Sequence, residues 1–174
     1  MKCPGSNGLL ELYRYCQNQS CSLLNSNCEH TMINSYFQSR LYYNSSTGCW
    51  NLTNAIKNDS CVYETNFTVG YNKTSHSLNI TVLDPVLISN ITHNSSRLGQ
   101  DIAVSVQFSG EETSVTWEVD GGPLPDRYWL IDDNRTLIIL SAQRNDTERR
   151  LCVRVTNPVS EETREYPLKV TGKR

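Results

Sequence analysis

The residues of this chain with the most chemical potential are its cysteines and asparagines. Cys3, Cys16, Cys21, Cys28, Cys49 and Cys61 lie in the first half of the sequence, and only Cys152 lies in the second. Asn-x-Ser/Thr occurs at Asn18, Asn44, Asn51, Asn58, Asn66, Asn72, Asn79, Asn90, Asn94, Asn134 and Asn145, eleven acceptor sites in 174 residues. Such density points to a glycosylated chain on the cell surface or secreted, where disulfides persist. Six cysteines in a small extracellular domain imply up to three disulfides, and all fifteen pairings stay open. No C-x-x-C occurs, and Cys28-Glu-His30 is a single close pair, so the cysteines do not read as a metal site.

Catalysis finds no support. His30, His76 and His93 all sit in polar stretches rich in acceptor sites, away from any Gly-x-Ser-x-Gly or activated-cysteine pattern. Asp132-Asp133 is an exposed turn pair, with too few ligands for calcium. The chain therefore reads as no enzyme and as needing no cofactor or metal. A formal net charge of −2 gives no reason to expect nucleic acid or an anionic membrane as partner. There is no run of eighteen apolar residues, and Met1-Lys2-Cys3-Pro4 lacks the apolar region of a signal peptide. The expectation is a mature ectodomain whose native form is anchored by a segment absent here.

The elements that position these residues read as strands. Leu137 to Leu140 is a short aliphatic run, followed by a polar turn at Asn145-Asp146-Thr147. Leu151, Val153 and Val155 then alternate with Cys152, Arg154 and Thr156. Strand, Asp-bearing corner and cysteine-bearing strand together form the E–F corner of an immunoglobulin-type sandwich. Val115 to Val119 supplies the tryptophan strand, Ile102 to Phe108 the second strand, Ile88 to Ile91 the first, and Arg164 to Val170 the last. Ala55 and Asn58-Asp59-Ser60 repeat Ala142 and Asn145-Asp146-Thr147 at a spacing of 87 residues, about one immunoglobulin domain. The fold expected is all-β: two tandem immunoglobulin-like β-sandwiches. Residues 1–84 form a variable-like, disulfide-rich domain and residues 85–174 a constant-type domain, parted at Pro85. In the first, Leu10 and Leu12 alternate with Glu11, Tyr13 and Tyr15. Cys16 to His30 reads as a disulfide-pinned loop, Tyr36-Phe37 and Leu41 to Tyr43 as strands, and Asn66 to Val69 and Leu78 to Leu83 as the last two. Little chain precedes Leu10 to supply the first strands.

Asn134-Arg-Thr-Leu137, Arg144-Asn-Asp-Thr147 and Asn157-Pro-Val-Ser160, behind Trp117 and Pro123-Leu-Pro125, resemble constant-type domains of the carcinoembryonic-antigen-related adhesion family over residues 88–170. Two departures stand out. Val106 or Phe108 occupies the place of the strand-B cysteine, and Arg150 that of the corner tyrosine. Residues 40–83 resemble immunoglobulin-like domains of cytomegalovirus and adenovirus membrane glycoproteins. These resemblances imply a protein that binds a protein partner. The first expectation is a viral immune-modulating glycoprotein that engages a host leukocyte receptor or an immunoglobulin. The alternative is a host adhesion receptor pairing through its N-terminal domain. Partner-binding candidates are Tyr13, Tyr15, Tyr36, Phe37, Arg40 and Tyr42, side chains of the kind that anchor interfaces. Cys152, without its usual partner, is expected to be a free thiol buried between the sheets, its pKa raised by desolvation.

Overall fold

The computed structural model describes residues 8–17, 19–27 and 29–172. They fold into two compact units, divided between Val82 and Leu83.

The first unit is built on β1 (Gly8–Cys16), β2 (Gln19–Ser26), β3 (Thr31–Ile33), β6 (Cys61–Val69) and β7 (Asn72–Ile80), which form one antiparallel sheet in the order β3-β2-β1-β6-β7. A hairpin of β4 (Leu41–Asn44) and β5 (Cys49–Leu52) forms the second sheet. Alternation along β1 turns Leu10 and Leu12 into the core and leaves Glu11, Tyr13 and Tyr15 outside. The stretch from Cys16 to His30 is not the loop expected of it. A bulge opposite Leu12 and Tyr13 lets consecutive Leu23 and Leu24 both face inward, and β2 is held by core packing. Each buried leucine contributes about 1.5–3 kcal/mol. Tyr36-Phe37 is no strand: it lies in a turn, and Phe37 is inserted into the core with Leu41 and Tyr63. Trp50 stacks on Tyr63 with ring centroids 5.5 Å apart and donates its indole N–H to Thr65.

The second unit places β10 (Ser114–Val119), β13 (Arg150–Asn157) and β14 (Ser160–Pro167) in one sheet. The other sheet runs β11 (Tyr128–Ile131), β12 (Thr136–Ile139), β9 (Ile102–Ser109), β8 (Leu87–His93). Ile102, Val104 and Val106 of β9, Val115, Trp117 and Val119 of β10, and Leu151, Val153 and Val155 of β13 point inward in strict alternation. The Trp117 indole donates to the Asn134 carbonyl at 2.7 Å. The last strand begins at Ser160, four residues before the expected start, because the Asn157 side chain bonds Ser160 and closes a tight turn there.

That alternation corrects the reading of Cys152. Leu151 and Val153 hold the core positions, so Cys152 points outward and is half-buried between Glu118 and Glu165 on the flanking strands. A strand has period two, and a one-residue difference in register exchanges the faces. The thiol is free, and burial followed by the two neighbouring carboxylates pushes its pKa up.

Candidate interaction surface

Two matching corners fix the chain, one in each unit. In the first, a 3-10 turn at Lys57–Asp59 directs the Asp59 carboxylate inward, where it accepts the Ile56 N–H at 2.9 Å. Arg40 grips it with two N–H···O bonds of 2.7 and 3.2 Å. Burial alone would raise the Asp59 pKa; Arg40, Ile56 and Arg14 outweigh it and hold the carboxyl below its ordinary value. In the second, the 3-10 turn Arg144–Asp146 presents Asp146 to the Gln143 N–H at 2.7 Å, to Arg127 at 3.0 and 3.2 Å and to the Tyr128 hydroxyl at 2.8 Å. Burial again opposes ionisation and is outweighed by Gln143, Tyr128 and Arg127, so Asp146 is held low, while burial and this same bond push Tyr128 well up. Arg40 and Arg127 stand 87 residues apart, as do Asp59 and Asp146.

These corners remove two residues from the expected partner-binding set. Arg40 is committed to Asp59, and its side chain is only 14% exposed. Phe37 is 2% exposed, beneath the guanidinia of Arg40 and Arg14. Both are structural: one satisfies a buried charge, and the other fills the core under it. Tyr36 covers Arg40 from outside, and Tyr42 lies exposed on β4, in the other sheet from Tyr13 and Tyr15. The six candidates therefore do not form one patch.

Tyr13 and Tyr15 do belong together. Their rings lie 6.4 Å apart on the outer face of β1. Tyr15 stands opposite Val62 of β6 and Tyr13 opposite Glu64. Tyr15 and Val62 are 41% and 39% exposed, so an aromatic and a β-branched side chain meet at the surface of a five-stranded sheet. The Tyr13 hydroxyl donates to Glu11 at 2.9 Å, which fixes the ring and pushes its pKa up. Val62 and Glu64, which sequence reasoning missed, are reached by following the β1–β6 register outward.

Most of the acceptor asparagines are open to solvent. Asn44, Asn51, Asn58, Asn72, Asn79, Asn90, Asn94, Asn134 and Asn145 are exposed, and Asn79 stands next to Val62 on β7. Asn66 differs: it is 3% exposed and accepts a hydrogen bond from Ser75. Asn18 lies outside the described residues.

The cysteines also depart from expectation. Cys16 and Cys61 are bonded across β1 and β6. Cys21 on β2 and Cys49 on β5 are free and exposed, each on a strand of a different sheet, so neither joins the framework expected of it. Cys3 and Cys28 lie outside the described residues. Among the described residues, no group of three or more His, Cys, Asp or Glu side chains is arranged to hold a metal ion. Nor is any described helix long and apolar enough to cross a membrane.

No family model and no curated protein matches this chain. Solved structures do. Murine CEACAM1b is 16% identical over 98% of this chain and 88% of that one, with a TM-score of 0.74. A chain of the mouse coronavirus receptor-binding domain complexed with its murine receptor matches at 16% identity, 97% and 88% coverage and a TM-score of 0.77. The CD2-binding domain of CD58 is 14% identical over 98% of this chain and 91% of that one, at 0.61. At these identities the likeness is one of fold alone, an immunoglobulin-like β-sandwich.

Proposed function

We propose that this chain is an extracellular binding protein made of two tandem immunoglobulin-like domains, residues 1–84 and 85–174, and that it engages a protein partner through its first domain. The observation that carries this reading is the row formed by Tyr15 and Val62, with Tyr13 and Glu64 in the next row, on one exposed sheet face. Aromatic side chains set in a polar surround are the usual anchors of protein interfaces. A glycan on Asn79 would border this row and leave its β1 side open. No cofactor enters this reading, and the work of the site is recognition rather than catalysis.

Of the two sources of such a molecule, the host adhesion receptor has gained support over the viral immune-modulating glycoprotein. Cys152 lies outside the core, so its lack of a partner is no sign of an eroded inter-sheet disulfide. The likeness to murine CEACAM1b also spans both units. A multimer of the glycosylated chain, tested against itself and against leukocytes, checks the proposal. Tyr15→Ala combined with Val62→Ala should lower binding at least tenfold, as the loss of a central anchor does. Tyr42→Ala and Trp129→Ala should leave it unchanged. Equal loss in all three proteins would move the site elsewhere.

A further inference from the structure

The Cys16–Cys61 bond has an unusual setting. It joins neighbouring strands of one sheet, just beyond the last ladder pair Tyr15 and Val62, with a Cα separation of 4.8 Å. The second unit builds the same Arg–Asp corner with no disulfide among its described residues. The bond therefore adds little to the native architecture that the ladder and the Asp59 corner do not already supply.

Both cysteines line a polar cavity of about 640 Å³ with Arg14, Lys57, Gln17 and Gln19, and no carboxylate lines it among the described residues. The Arg14 Nε–H points at Cys61 Sγ from 3.3 Å. The Asn58 carbonyl oxygen lies 3.4 Å from the same sulfur. Released Cys61 would thus find a donor as a thiolate and an acceptor as a thiol. Lys57 adds a second positive charge to the cavity while also donating to the Val82 carbonyl. Cys16 is the more open of the two, half-buried against 5% exposure for Cys61.

From this geometry we infer that the Cys16–Cys61 bond is a thiol–disulfide exchange site for a small anionic thiol. The incoming thiolate attacks Cys16 Sγ. The sulfur–sulfur bond breaks and its electron pair leaves on Cys61, whose thiolate accepts the Arg14 N–H and then takes a proton from water. Cys16 carries the mixed disulfide. A second thiolate displaces it, releasing the oxidised thiol and leaving both cysteines reduced. A leaving sulfur stabilised as thiolate departs faster, and cations lining the approach favour an anionic attacker over a neutral one.

Reduced glutathione is the probe, applied to the folded full chain in a Cys21→Ser background, because Cys21 stands opposite Arg14 on β2 and could displace the adduct. After acid quenching, free thiols are alkylated and the sites read by mass spectrometry. The adduct should sit on Cys16, with Cys61 alkylated and the circular dichroism unchanged. Lys57→Gln should slow glutathione several-fold but not 2-mercaptoethanol at equal thiolate concentration. Arg14→Gln should slow both thiols about tenfold, the effect of one lost charge-assisted hydrogen bond. An adduct on Cys61, equal rates for the two thiols in the unmutated chain, or reduction only in denaturant would each overturn the inference. If Arg14→Gln fails to fold, the Lys57→Gln comparison still decides.

Discussion

The carboxylate of Asp59 is fully buried and is held by Arg40 through two hydrogen bonds of 2.7 and 3.2 Å. Removing Arg40 strips the buried carboxylate of both hydrogen bonds from its main partner and leaves Arg14, 3.9 Å away, as the remaining countercharge, at a cost of about 3–5 kcal/mol. Arg40→Ala should therefore destabilise the first unit by that amount while leaving the second unit's unfolding transition in place. Chemical denaturation followed by a probe in each unit checks this. A loss below about 1 kcal/mol would show that the pair is not the clasp described.

The same corners set the acid limit of stability. Asp59 and Asp146 both titrate below their ordinary value in the folded chain, so folding favours their ionised forms. Their contribution is complete above the unfolded carboxyl pKa, about 4, and is lost as pH falls through the lower folded values. Stability should be level from neutrality to about pH 5 and fall below about pH 4. Asp146→Asn should be less stable at neutral pH and show a shallower acid limb in the second unit. A limb of unchanged slope would assign acid unfolding to other carboxylates.

The corners are legible in the sequence through its 87-residue repeat. The 87-residue spacing from Asn58-Asp59-Ser60 to Asn145-Asp146-Thr147 is plain in the sequence and locates both turns. Carried back to Arg40 and Arg127, the same spacing would have found the partners. Residue type alone places Arg40 among interface side chains, because composition cannot tell a surface arginine from one paired over a core. The alternation of Leu151, Val153 and Val155 by itself places Cys152 on the outer face, against the inward place that a strand-F cysteine usually holds in an immunoglobulin sandwich. The β2 bulge, which buries Leu23 and Leu24 together, breaks period two and left no periodic signal to follow.

Cys152 offers a direct check of that register. Facing outward between Glu118 and Glu165, it should tolerate Cys152→Ser at under about 1 kcal/mol, whereas Leu151→Ala should cost about 2–5. Its raised pKa and half-burial should also make it react with iodoacetamide at pH 7 more slowly than exposed Cys21 and Cys49. Faster labelling at Cys152 would contradict this placement.

Asn66 should carry no glycan in the folded protein made in a glycosylating cell, whereas Asn79 should be occupied. Asn66 is buried and bonded to Ser75, and a glycan there would have to displace the β6–β7 ladder. Site-resolved glycopeptide mass spectrometry gives the answer. Full occupancy at Asn66 in monomeric, folded material would require β7 to lie elsewhere.

The Arg40–Asp59 clasp also bears on the order in which the first unit assembles. It closes over only 19 residues, whereas the Cys16–Cys61 bond joins positions 45 apart. Closing the shorter loop costs less chain entropy, so we expect the turn, Arg40 and the β4–β5 hairpin to come together before β1 finds β6. Arg40→Ala should then slow refolding more than it speeds unfolding, while Leu10→Ala, on the late-pairing strand, should do the reverse. Stopped-flow kinetics on the two variants would separate these courses. If the expected order holds, what looks in the finished molecule like a fastener at one edge is the place where folding begins.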